Sequence, residues 1–90
     1  MNIQKVNTSA GVVEVGDSIR VTWNPNGADI GEDGSYPVYA IHKNDMGRIY
    51  FSFTKRGINN IDDSWDFDGH VEDSVTEIIK QRISKWKEQI

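Results

Sequence analysis

The hydrophobic positions follow two periodicities, one before about residue 70 and another after it. Val13 and Val15 share one parity. Beyond Gly16-Asp17, Ile19, Val21 and Trp23 alternate with Arg20 and Thr22. Period 2 marks a half-buried strand, so Val12–Trp23 predicts strand structure broken by a tight turn or bulge. Asn24-Pro25-Asn26-Gly27 ends it, because proline has no ladder N–H and Asn-Gly accepts positive φ. The stretch from Asn24 to Ser35 holds three glycines and three acids, with Ala28 and Ile30 its apolar residues. It reads as a long exposed loop, longer than the usual connection in so small a domain and of a kind that is often functional or mobile.

Tyr36 to His42 is apolar on both parities, as suits a strand covered on two sides. Asn44-Asp45-Met46-Gly47 has Asn at the first and Gly at the fourth position of a type I turn. Arg48 to Thr54 then alternates, with Ile49, Phe51 and Phe53 on one side and Arg48, Tyr50, Ser52 and Thr54 on the other. Residues 36–43 and 48–54 thus predict a hairpin, with both phenylalanines in the core. An exposed edge at Arg48–Thr54 offers a route to a homodimer. Lys55–Asn60 reads as a turn and Ser64–Phe67 as a short last strand.

From Val71 onward the period changes. Val71, Val75, Ile78, Ile79, Ile83, Trp86 and Ile90 fall on one stripe of a 3.6-residue helix. Acids lie early and bases late, which complements a helix dipole. Asp68 or Gly69 suits its cap, or Ser74 with Glu77 as a capping box. These patterns predict an α+β domain. A small antiparallel sheet, bent or SH3-like and barrel-shaped (about 12–67), is closed by one C-terminal amphipathic helix (about 71–89).

Composition narrows the class. Ninety residues with no cysteine make one small domain without a disulfide framework, a thiolate metal site or a catalytic thiol. No apolar run reaches the roughly 20 residues a membrane helix needs, and Met1–Ala10 lacks the apolar core of a signal peptide. The expectation is a soluble cytoplasmic domain.

The net charge of −4 conceals blocks of opposite sign. Residues 1–35 carry −3, 36–60 carry +3, 61–77 carry −7 and 78–90 carry +3. The acidic block offers Asp62, Asp63, Asp66, Asp68, Glu72 and Asp73 as an anionic surface for a basic protein partner. The basic block offers Lys43, Arg48, Tyr50, Lys55 and Arg56. Bases interleaved with an aromatic on a hairpin can track phosphates and stack a base, so single-stranded nucleic acid, a nucleotide or another anion is the alternative ligand. The overall acidity works against nucleic acid.

Other chemistry finds little support. With Gly69 placed on the invariant glycine of a calcium loop, Ser64, Asp66 and Asp68 fill positions one, three and five. Position twelve, which needs a bidentate Glu, is then Val75, and the same alignment at Asp29–Gly34 ends on Ala40. No metal site or other cofactor site is assigned. His42 and His70 are candidate bases, but no nucleophile stands at a recognisable spacing from either, and no catalytic residue is assigned. No phosphate-binding glycine motif is present.

The run Val15-Gly16-Asp17-Ser18-Ile19-Arg20-Val21 resembles the opening strand of SH3-like small barrels of the KOW and Tudor kind. The hairpin after it is compatible with such a barrel. That resemblance implies a binding module rather than an enzyme. The compact, acidic, cysteine-free chain is also similar in style to small accessory proteins of tailed phages, including inhibitors of host defence proteins. The expected function is non-enzymatic docking on a macromolecule, a protein first.

Overall fold

The computed structural model describes residues 2–66 and 74–80. The described residues form nine strands: β1 (Asn2–Ile3), β2 (Lys5–Thr8), β3 (Gly11–Glu14), β4 (Ser18–Val21), β5 (Tyr36–Pro37), β6 (Ala40–Lys43), β7 (Ile49–Ser52), β8 (Trp65–Asp66) and β9 (Val75–Ile79). They form a four-stranded sheet in the order β1-β6-β7-β8, a three-stranded sheet β5-β4-β9 and a two-stranded ribbon β2-β3, with every pair antiparallel. Strands take 43% of the described residues, and the helical turns among those residues are two short 3-10 turns, so the architecture is all-β. No helix among the described residues is long and apolar enough to cross a membrane.

Two expectations are corrected here. The sheets are open, with distinct edges, and do not close into a barrel. The α+β assignment also fails, because the centre of the expected helix is β9, which pairs with β4. Four of its five residues (Val75, Thr76, Ile78 and Ile79) are β-branched, and their restricted χ1 favours a pleated strand. A bulge explains the helix-like spacing. Ile78 pairs with Ile19 and Val75 with Val21, while Thr76 is the extra residue between Arg20↔Glu77 and Val21↔Val75. Ile19 and Val21 share a face of β4, so Val75 and Ile78, three residues apart, also come to one face. The remainder of the expected helix, 71–73 and 81–89, lies outside the described residues.

The chain from Tyr36 to Lys43 is two strands belonging to two sheets. Tyr36 and Pro37 pair with β4, and the Val38 N–H donates to the Asp17 carbonyl. The Tyr39 N–H then donates to the Ser52 carbonyl, and β6 continues beside β7. A segment apolar on both parities suits this corner, because it is covered from both sheets. The hairpin itself forms at the expected place, with Ala40↔Ser52 at its base and Lys43↔Ile49 at its tip. β7 lies between β6 and β8, so the proposed dimer edge at 48–54 is internal to a sheet. Two strands near the start, β1 and β2, were not predicted, since their short alternation offers few apolar residues.

Register explains the core. Ile3, Ile41, Phe51 and Trp65 form one cross-strand row of the four-stranded sheet. Ile41 and Phe51 are fully buried, and they join Val13, Ile19, Tyr36, Val38, Phe53 and Val75 in one cluster. The rings of Phe53 and Trp65 lie 5.3 Å apart, and those of Phe51 and Phe53 lie 6.2 Å apart edge-on. This is the packing that aromatic quadrupoles favour.

The loop from Asn24 to Ser35 is tied down at several points. The Tyr36 hydroxyl donates to Asn24 Oδ1 at 2.7 Å. The Asp29 N–H donates to the Phe53 carbonyl, and Arg20 Nη1 donates to the Asp33 carbonyl at 2.7 Å. Burial first, and then the Asp29 carboxylate that it hydrogen-bonds, raise the Tyr39 phenol above its ordinary pKa.

Candidate functional site

The row next to the core row in the four-stranded sheet is polar. Asn2, His42, Tyr50 and Asp66 follow one another across β1, β6, β7 and β8. Neighbouring rows face opposite sides, so these side chains stand on the face away from Phe51. The chain returns over one end of that face. It makes 3-10 turns at Lys55–Ile58 and Ile61–Asp63, capped by Thr54 Oγ1 accepting from the Gly57 N–H and Asn60 Oδ1 accepting from the Asp62 N–H. His42 is buried beneath it, and its Nε2 donates to the Gly57 carbonyl. That hydrogen bond gives His42 a structural task.

The other end of the polar face is the hairpin tip. The Asn44 carbonyl accepts from the Gly47 N–H at 3.0 Å, and the Asn44 N–H donates to the Arg48 carbonyl. Asn44 Oδ1 accepts from the N–H groups of Met46 and Arg48 at 3.0 and 2.9 Å. Gly47 has φ +85°, a conformation side-chain-bearing residues rarely adopt. The turn is therefore fixed by hydrogen bonds and presents its side chains outward. Asn44, Met46, Gly47, Arg48 and Tyr50 line an open groove of about 530 Å³. Met46 is 92% exposed, so it contributes almost nothing to the core.

Among the described residues, two members of the acidic set lie against two members of the basic set. Arg48 Nη1 lies 3.4 Å from Asp66 Oδ2, and Arg56 Nε lies 3.9 Å from Asp63 Oδ2. Pairing of β8 with β7 puts Asp66 directly across from Tyr50 and brings the acidic block to the basic one. Exposed pairs of this kind contribute about 0–1 kcal/mol each. Their main consequence is local cancellation of charge. Lys43 sits on the opposite parity to His42, so it faces away from Arg48 and Tyr50. Lys55 is exposed on the first 3-10 turn and Asp62 on the second. Asp68, His70, Glu72 and Asp73 lie outside the described residues. Among the described residues no three His, Asp or Glu side chains gather as a metal site.

Sequence reasoning missed two features. A smaller groove of about 380 Å³ lies on the ribbon, lined by Lys5, Val6, Asn7 and Val12. The second is an ionic clamp on β9. Lys80 Nζ donates to Asp17 Oδ2 at 2.6 Å, to Glu14 Oε1 at 3.2 Å and to the Val12 carbonyl at 3.2 Å. The Asp17 side chain is fully buried and also accepts from the Glu14 N–H at 2.8 Å. Burial opposes the charge on Lys80, but its hydrogen bonds to Asp17 and Glu14, with their negative charges, outweigh it and hold the pKa above the ordinary lysine value. Only the exposure of Met46, a large apolar residue inside a turn sequence, could have been suspected beforehand.

Comparisons with known protein families, with curated proteins and with solved structures give no match.

Proposed function

We propose that this protein is a non-enzymatic binding module that docks on a protein partner through the tip of the β6–β7 hairpin. The observation that carries the reading is the groove of Asn44, Met46, Gly47, Arg48 and Tyr50 with Met46 almost fully exposed. Tyrosine, methionine and arginine are enriched at protein interfaces, where each buries a large area. Methionine adapts its shape to a partner surface. The turn that carries them is held by the Asn44 hydrogen bonds, so little order remains to be imposed on binding. The Arg48–Asp66 pair gives the rim both signs of charge. An inhibitor of the phage accessory kind works by covering a partner's surface and needs no reactive side chain, which accords with this reading.

The alternative is a nucleotide or single-stranded nucleic acid on the same face. It rests on Tyr50 and Arg48 sharing a parity, which places a ring beside a cation. Asp66 beside Arg48 and Lys43 on the opposite face weigh against it, because phosphate binding draws on uncancelled positive charge.

Two measurements separate the readings. Affinity capture from the native cell is expected to yield a partner protein with the wild type and lose it with Met46→Glu, while Val12→Glu on the other groove retains it. Capture unaffected by Met46→Glu overturns the tip. Titration with labelled single-stranded oligonucleotides is expected to stay flat at low salt. Salt-sensitive binding abolished by Arg48→Glu would replace the protein partner with the nucleic-acid one.

A further inference from the structure

The loop from Asn24 to Ser35 contains a chemical feature that docking does not use. Asn26 and Gly27 are both exposed, and no hydrogen bond holds either among the described residues. Gly27 has φ +81°, and the space where a Cβ would sit is open, with nothing within 4 Å. Glycine offers the least hindered backbone nitrogen of any residue, and the short Asn side chain brings its carboxamide carbon within reach of it.

The geometry points to Asn26 as a site of spontaneous deamidation. The Gly27 backbone nitrogen attacks Asn26 Cγ and gives up its proton. The side-chain nitrogen leaves as ammonia and a cyclic succinimide forms. Water opens the ring at either carbonyl, giving aspartate or isoaspartate. The net exchange is one water taken up and one ammonia released.

Three other steps among the described residues are constrained. Asp33-Gly34 has the same succinimide-forming sequence type, but Asp33 Oδ1 accepts from the Ser35 N–H at 3.0 Å and from Ser35 Oγ at 2.6 Å, and the Gly34 N–H donates to the Gly31 carbonyl. The Asn44 side chain is pinned by two N–H groups of its own turn. Asn24 precedes proline, which has no amide proton to lose, and its Oδ1 holds the Tyr36 hydroxyl. No other asparagine in the chain is followed by glycine, so the reaction is expected to run fastest at this exposed turn. Its product adds one negative charge to a loop that already carries Asp29, Glu32 and Asp33. The fold should tolerate it, since both residues are exposed.

The test is warm incubation of the full chain in mildly alkaline buffer, followed by peptide mapping. The expected result is a gain of about one mass unit confined to the peptide holding Asn26, with isoaspartate as well as aspartate there. Asn26→Gln should lose that gain while melting like the wild type. A urea-unfolded sample should also react at Asn44, which the folded turn protects. An unmodified Asn26 in the folded chain, or a folded Asn44 reacting as fast as Asn26, overturns the assignment.

Discussion

Gly57→Ala is expected to lower the stability of the domain by about 4 kcal/mol, combining overpacking with lost buried hydrogen bonds. A Cβ at position 57 would stand 1.6 Å from Ser52 Oγ, 2.6 Å from Ser52 Cβ and 2.5 Å from the Asp63 carbonyl oxygen. None of these can yield easily. Ser52 is fully buried at the end of β7, where its one hydroxyl proton is shared between the carbonyls of Thr54 and Asp63, 3.1 and 3.0 Å from Oγ. The methyl group must lift the 55–63 segment from the sheet. That movement also separates the Gly57 carbonyl from buried His42. For a domain of this size the loss corresponds to a fall in melting temperature of roughly 15–30 °C. Thermal denaturation followed by circular dichroism reads it. Ser52→Gly in the same chain removes both Ser52 contacts, leaves the one to the Asp63 carbonyl, and should recover part of the loss. A Gly57→Ala variant that melts with the wild type would mean that residues 55–63 do not pack on β7.

The second large effect concerns Lys80→Met, expected to cost about 1–3 kcal/mol at neutral pH. The substitution keeps an unbranched stem of similar length and removes the ammonium group from the buried Asp17 carboxylate. The upper figure is moderated because the Lys80 side chain is 48% exposed and solvent screens the pair. The pH dependence has a definite sign. The folded state raises the pKa of Lys80, so its contribution is fully present below the unfolded lysine value and fades as pH rises through the folded one. Urea unfolding should therefore show a gap between wild type and Lys80→Met that is constant through neutral pH and narrows in strong alkali. A gap of zero at neutral pH would mean that the clamp does not fasten β9.

The sequence was informative where neighbouring residues decide the outcome. The Asn44–Gly47 turn needs only its own side chain and one positive φ, and the alternation of Ile49, Phe51 and Phe53 sufficed to place their side chains in the core. The helix failed because two stripes coincide. Val75 and Ile78 lie three apart, a helical spacing, and a bulge at Thr76 produces the same one-sided display in a strand. Nothing local reports that bulge, since it depends on the register against β4, more than fifty residues earlier. The Lys80 clamp was hidden for the same reason. Its partners Asp17 and Glu14 lie 63 and 66 residues away. The two charged blocks suggested two surfaces because charge was counted along the chain. Pairing of β8 with β7 brings Asp66 to Arg48, and the 3-10 turns bring Asp63 to Arg56.

Among the described residues Met46 is the most exposed large hydrophobic side chain, on a turn held by hydrogen bonds, and the proposed docking site rests on it. Site-specific photo-crosslinking in the native cell tests that claim most directly, with a photoreactive amino acid placed at Met46 in one variant and at Val12 in another. The account predicts a discrete protein adduct from position 46, absent when Tyr50→Ala is added, and no adduct from position 12. An adduct from position 12 alone, or crosslinking from position 46 to nucleic acid instead of protein, would contradict it.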